Sequence, residues 1–169
     1  MLIVLSGLPG VGKTTIAREL APRLVAVHLR IDSIEAAIRR SPAHAAVPMD
    51  DAGYRVAYAV AEDNLRLGHT VIADCVNPWP DTRNAWAAVA ERADVRAVMI
   101  EIVCSDAYEH ERRVANRPAD VEGTRRVTWQ QVLARDYRAW DRDRVVIDTA
   151  GKEIAQCVDQ VLGGTVISP

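Results

Sequence analysis

Gly7-x4-Gly12-Lys13-Thr14, within LIVLSGLPGVGKTTIAREL (residues 2–20), is the spacing richest in chemistry in this 169-residue chain. Gly7, Gly10 and Gly12 clear side chains from a tight turn and admit positive φ. Backbone N–H groups freed in this way can wrap a phosphate chain, and the positive end of the following helix points at it. Pro9, Gly10, Val11, Gly12 and Thr15 would line such a loop. Lys13 would reach the β- and γ-phosphates, and the Thr14 hydroxyl would ligate Mg²⁺. The chain holds two lysines against nineteen arginines, and one of the two stands here. A compact ammonium suits that position better than a guanidinium.

Two aspartates could complete a phosphoryl-transfer site. Asp32, in LRIDSIEAAIRR, could accept the proton of a substrate hydroxyl and orient it for in-line attack. It could equally cap the helix that follows, with Glu35 closing a capping box. Asp74 ends the apolar run TVIAD, where a carboxylate could hold Mg²⁺ together with Thr14, or contact the substrate instead. Arg83, further on, is read either as a contact to an anionic substrate or as a solvated surface arginine.

The segment ERRVANRPADVEGTRR (111–126) carries five arginines around a Pro and Gly interruption. Arg113 and Arg117 lie four apart and share a helix face. Arginines delivered by a closing lid, about 111–127, would neutralise charge on the transferring group, with Arg117 also touching the nucleotide. The competing reading is a solvated charged helix paired with its own acids. Trp79, in NPWPD, could line a substrate pocket; Trp86, Trp129 and Trp140 are read as packing residues. The turn after RVVID, around Thr149, could touch the nucleotide base.

These residues need elements to hold them. LIVLS (2–6), LVAVHL (24–29), TVIAD (70–74), VRAVMIEIV (95–103) and RVVID (144–148) read as strands. Between them, helical patterns run near 33–40, 50–67, 81–93, 105–117 and 128–139, with a last one near 153–162, and one follows Lys13 through Ile16, Leu20 and Leu24. Pro22 should end or kink that first helix. Asp81 and Thr128 are expected N-caps, and Gly68 a C-cap. Strand and helix in alternation predict an α/β chain of three layers, a five-stranded parallel sheet with helices on both faces and a small lid. Its ligands should bind beyond the carboxyl ends of the strands. Length predicts a single domain, 1–169.

The formal charge of −2 offers no general attraction to nucleic acid, which makes a long polyanion an unfavoured partner. Cys75, Cys104 and Cys157 form no C-x-x-C pair, as expected of reduced thiols in the cytoplasm. A strand beginning at Leu2 leaves no room for a signal peptide, and no apolar run reaches membrane-spanning length.

GLPGVGKTT, with the arginine-bearing segment, resembles the small P-loop kinases grouped around chloramphenicol phosphotransferase, zeta toxin, gluconate kinase and adenylylsulfate kinase. IDSIEAA resembles the stretch of chloramphenicol phosphotransferase with the catalytic aspartate, which maps that role onto Asp32. VIDTAG is similar to the group's nucleotide-base loop and brings in Thr149. The resemblance implies ATP and Mg²⁺ and transfer of the γ-phosphoryl group to a hydroxyl of a small molecule, without naming the acceptor. A nucleoside or polynucleotide 5′-kinase, or a nucleotide-dependent switch or assembly factor, are the alternatives.

Overall fold

A computed structural model describes residues 1–41, 51–117 and 126–165. Its elements run β1 (Leu2–Ser6), α1 (Lys13–Leu24), β2 (Val27–Arg30), α2 (Ile31–Arg40), α3 (Ala52–Arg66), β3 (Val71–Asp74), α4 (Pro80–Arg92), β4 (Ala97–Val103), α5 (Ala107–Asn116), α6 (Trp129–Leu133), β5 (Val145–Asp148) and α7 (Ile154–Thr165). The five strands form one sheet in the order β2-β3-β1-β4-β5, and every pairing is parallel. This is the predicted three-layer α/β architecture.

Period-two alternation in β1 divides the core. Ile3 and Leu5 face one layer, packed with Ile16 and Leu20 of α1 and Val158 and Val161 of α7. Leu2 and Val4 face the other, with Ala57 and Leu65 of α3 and Trp86 and Val89 of α4. Leu2, Ile3, Val4 and Leu5 are all at 0% exposure, so each contributes about 1.5–3 kcal/mol of burial. With both faces covered, β1 reads as a continuous apolar run. The chain leaves β1 for the β2 side of the sheet and later crosses to the β4 side. The carboxyl end of β1 is therefore the switch point where a cleft opens.

Several boundaries moved. α1 continues through Pro22 to Leu24, which takes Leu24 away from the second strand. Proline removes only one donor there, and the helix closes behind it. Val25 (φ 48°) donates to the Pro22 carbonyl and Ala26 to that of Ala21 at 2.9 Å, the paired closure of a left-handed C-terminus. Thr128 caps α6 in a reciprocal capping box with Gln131, and Gly68 (φ 85°) follows α3 and donates to the Leu65 carbonyl. Asp81 is not an N-cap. Trp79 holds that place with Pro80 first in the helix, and Asp81 lies in the first turn. The helix expected over 128–139 stops at Leu133. Beyond it the chain's polar groups bond across to another segment: the Arg138 amide donates to the Pro78 carbonyl at 2.9 Å.

Candidate active site

The turn from β1 into α1 is built by exclusion. A Cβ on Gly7 would lie 2.2 Å from the Ile102 carbonyl oxygen, and one on Gly10 would lie 2.5 Å from Cγ2 of Val114. Gly12 (φ 104°) is the N-cap of α1, which has no side-chain cap and no acid in its first turn. That leaves the positive end of a twelve-residue helix open to an anion. The loop is braced from behind. His110 Nε2 donates to the Pro9 carbonyl at 2.8 Å, and its ring packs edge-on against Trp129, with centroids 5.0 Å apart.

Lys13 starts α1 at 8% exposure and its Nζ donates to the Leu8 carbonyl at 2.9 Å. Burial pulls its pKa below the usual lysine range, while the nearby charges of Asp74 and Asp32 oppose that pull. Asp74, at 3% exposure, ends β3 beside it. Burial alone would raise the Asp74 pKa. The bond from His28, the Lys13 charge and the Thr14 hydroxyl outweigh burial, and the carboxyl titrates below its ordinary value. His28 Nε2 lies 3.4 Å from Asp74 Oδ2, with Arg30 Nε 3.9 Å away.

Asp32 is the second residue of α2, whose N-cap is Arg30, so it does not cap that helix. Glu35 does not reach back either; it pairs with Arg39 at 2.7 Å. The Asp32 carboxylate is 47% exposed, 3.6 Å from Arg30 and 3.5 Å from Arg117. Arg117 thus approaches Asp32 from the end of α5. Residues 118–125 of the expected lid lie outside the described residues, and 111–116 belong to α5 itself.

A cleft of about 1040 Å³ brings together Pro9, Gly10, Gly12, Lys13, Thr14, Thr15, Asp32, Asp74, Arg113 and Arg117. The remaining predicted residues stand behind it. Gly7 and Val11 support the loop from the core side, and Val11 is 2% exposed. Thr149 is 1% exposed, with its hydroxyl 3.0 Å from the carbonyls of Val11 and Val103. Arg113 reaches it by donating to its hydroxyl at 2.8 Å and its carbonyl at 2.9 Å, while Glu109 accepts from the same guanidinium. The chain segment facing the cleft near Thr149 is Lys152–Ile154.

Sequence reading proposed Trp79 for this cleft but missed several of its other lining residues. Arg18, Glu35, Tyr54, Thr82 and Arg135 line the cleft with Trp79. Glu35 has its pKa raised by burial, against the pull of Arg39. Trp79 is 48% exposed and its Nε1 donates to Asp136 at 3.0 Å. Arg83 fits neither earlier reading, being at 0% exposure and bonded to main-chain carbonyls. The only available signal was its seat on an otherwise apolar helix face beside Trp86 and Val89.

The donor set suits Mg²⁺. Thr14 and Asp74 offer adjacent hard oxygens, the Thr14 hydroxyl bonding the Asp74 carboxylate. Mg²⁺ is commonly held by one or two protein oxygens plus substrate phosphates rather than by an all-protein cage. Among the described residues no helix is long and apolar enough to cross a membrane.

Sheet order, phosphate loop and cleft together define a P-loop fold. A family model described as an AAA domain matches residues 2–140. A shikimate kinase of Frankia casuarinae is 31% identical over 167 residues, which cover 94% of this chain and 69% of that protein. The chain belongs to this AAA-domain family and to the P-loop small-molecule kinases. Among solved structures, Chaetomium thermophilum Kti12 in complex with ADP-AlF3 is similar with a TM-score of 0.69 and 22% identity, over 97% of this chain and 98% of that one. A gluconokinase from Sinorhizobium meliloti 1021 matches with a TM-score of 0.63 and 18% identity, over 96% and 89%. At these identities the two structures share the fold.

Proposed function

We propose that this protein is an ATP-dependent phosphotransferase that moves the γ-phosphoryl group to a hydroxyl of a small molecule. One observation carries the reading: the cleft that holds the phosphate loop and Asp32 is also lined by Trp79 and Arg135, which lie outside the loop and form a second wall. A site that only binds or hydrolyses a nucleotide has no use for that second wall. At about 1040 Å³, the cleft reaches the upper end of the range for a drug-sized ligand, which leaves room for an acceptor beside the nucleotide.

Loop amides and the N-terminus of α1 hold the phosphates, with the Lys13 ammonium between them. Thr14 and Asp74 would hold Mg²⁺, which supplies charge neutralisation on the phosphate oxygens. The acceptor oxygen forms its bond to phosphorus as the bond to the leaving ADP oxygen breaks, and its proton passes to Asp32. Arg30 and Arg117, 3.6 and 3.5 Å away, orient the Asp32 carboxylate before that step. Arg117 then follows the charge onto the transferring group, where its positive charge counts most. Arg113, through Thr149, fixes the turn beside Lys152–Ile154 where the base would lie.

The test supplies ATP and Mg²⁺ with pooled shikimate, gluconate, nucleosides, a 5′-hydroxyl oligonucleotide and hydroxyl-bearing antibiotics, and reads products by intact mass. A phosphoryl gain on one small alcohol supports the reading. Gain on the oligonucleotide alone makes the protein a polynucleotide kinase. Phosphate released to water with no modified acceptor favours a nucleotide-dependent switch.

A further inference from the structure

The second wall of the cleft belongs to no regular element. It is made from Pro78–Trp79, between β3 and α4, and from the stretch after α6 that carries Arg135 and Asp136. These two segments lie more than fifty residues apart in the chain. Loops of this kind are positioned by hydrogen bonds rather than by their own ladders, and every buried carbonyl among them needs a donor.

Arg83 of α4 supplies those donors to both segments. Its Nε donates to the Asn77 carbonyl at 3.2 Å and Nη2 to that of Pro78 at 3.2 Å. On the other side, Nη2 donates to the Arg138 carbonyl at 2.7 Å and Nη1 to that of Ala139 at 2.9 Å. The guanidinium carbon lies 4.2 Å from the centroid of the Trp140 ring and 5.4 Å from that of Tyr137. Tyr137 is itself anchored on Glu101 of β4. A cation at 0% exposure costs several kcal/mol unless it is well compensated. Here the compensation is a fork of main-chain carbonyls and two aromatic faces. A lysine could not span this arrangement, because only a planar fork reaches both segments at once.

We infer that Arg83 is the positioning residue of the acceptor side: it fastens 135–139 to 77–79, so that Trp79 and Arg135 face Asp32 as one wall. The inference rests on the phosphotransferase reading for what that wall holds. Arg83 does not itself line the cleft and acts through the residues it ties, Pro78 among them. The Trp79–Asp136 bond and the Arg138–Pro78 amide bond join the same two segments from outside. The nucleotide half is built on β1, α1 and α5 and does not depend on this tie.

The experiment compares the full chain with Arg83→Met, which keeps bulk without donors, and Arg83→Lys, which keeps charge without the fork. Hydrogen exchange by mass spectrometry should show 77–79 and 135–139 exchanging together at least about tenfold faster in both variants, with β1 and α1 unchanged. AMPPNP affinity should stay within about twofold, while KM for whichever of shikimate, gluconate or the other screened alcohols is phosphorylated rises about tenfold with little change in kcat. Trp79→Phe removes only the exposed indole donor and should loosen 135–139 in the same direction, which decides the matter if Arg83 variants fold poorly. Unchanged exchange at both segments overturns the inference, as does a loss of protection spread through β1 with weakened AMPPNP binding. If the wild type phosphorylates no alcohol, the functional reading fails while the exchange result still judges the tie.

Discussion

Gly7, Gly10 and Gly12 all have positive φ, at 139°, 89° and 104°, yet alanine should not act alike at the three. At Gly7 the new methyl meets backbone of β4 at 2.2 Å, and at Gly10 it meets the Val114 side chain at 2.5 Å. At Gly12 the nearest atom is Thr149 Cγ2, an ordinary contact at 3.8 Å. Left-handed backbone costs an L-residue roughly 1–2 kcal/mol, and overpacking adds about 1–3 kcal/mol. Gly12→Ala should therefore lose only about 1–2 kcal/mol, and Gly10→Ala about 2–5 kcal/mol. Gly7→Ala should be the worst, because a strand cannot rotate aside as a valine can. Each kcal/mol corresponds to about 2–4 °C in Tm for a domain of this size. Binding should break that order. The Gly12 methyl stands at the open end of α1, so AMPPNP affinity should fall by about tenfold or more, worth at least about 1.4 kcal/mol, in a variant that is nearly fully stable. Urea unfolding and calorimetric titration measure the two quantities separately. Gly12→Ala as unstable as Gly7→Ala, or stable with undiminished affinity, would refute the account of the loop.

Asp32→Asn should lower transfer by roughly a hundred- to ten-thousand-fold, the worth of general-base catalysis, with the Mg²⁺ dependence unchanged; a drop below about tenfold would make Asp32 an orienting group. Asp74→Asn should instead raise the Mg²⁺ concentration for half-maximal rate, and the reverse pattern would exchange the two roles. Glu35 is the pH test. Burial lifts its folded pKa above the ordinary 4.5, so the native state binds more protons than the unfolded chain between those two values. Stability then falls as pH rises through that window. Glu35→Gln should raise Tm at neutral pH and lose that advantage below about pH 4.5; an advantage that persists in acid would mean the gain is not electrostatic.

The phosphate loop was legible because its chemistry is its spacing: three glycines at positive φ, two of which exclude a Cβ, then Lys13 and Thr14. Asp74 and Asp32 were legible as acids at strand ends, since the parallel sheet aims those ends at one place. The strand order was not, because nothing local to β2 or β5 says which strand lies beside it. Pro22 and the length of the helix after Thr128 show local rules losing to context, while Thr128 itself caps as expected. A closing left-handed turn tolerated the first, and the helix that Thr128 starts gives way where 138–139 bond to Arg83. Arg83 was hard to read, its apolar helix face the one clue, since what covers a buried arginine lies in a distant segment, 138–139. His110 was hidden likewise, its partner Pro9 lying 101 residues away.

The most direct test of the central claim is phosphoryl transfer by Lys13→Ala beside the wild type, read by the mass of the acceptor product. Lys13 is held against its own burial, with its Nζ on the Leu8 carbonyl, so its removal should spare the fold. The wild type should phosphorylate a small alcohol, and the folded variant should do so about a hundred- to a thousandfold more slowly, as when a charge-stabilising group is lost from a reacting centre. Near-normal product formation by folded Lys13→Ala would contradict the account.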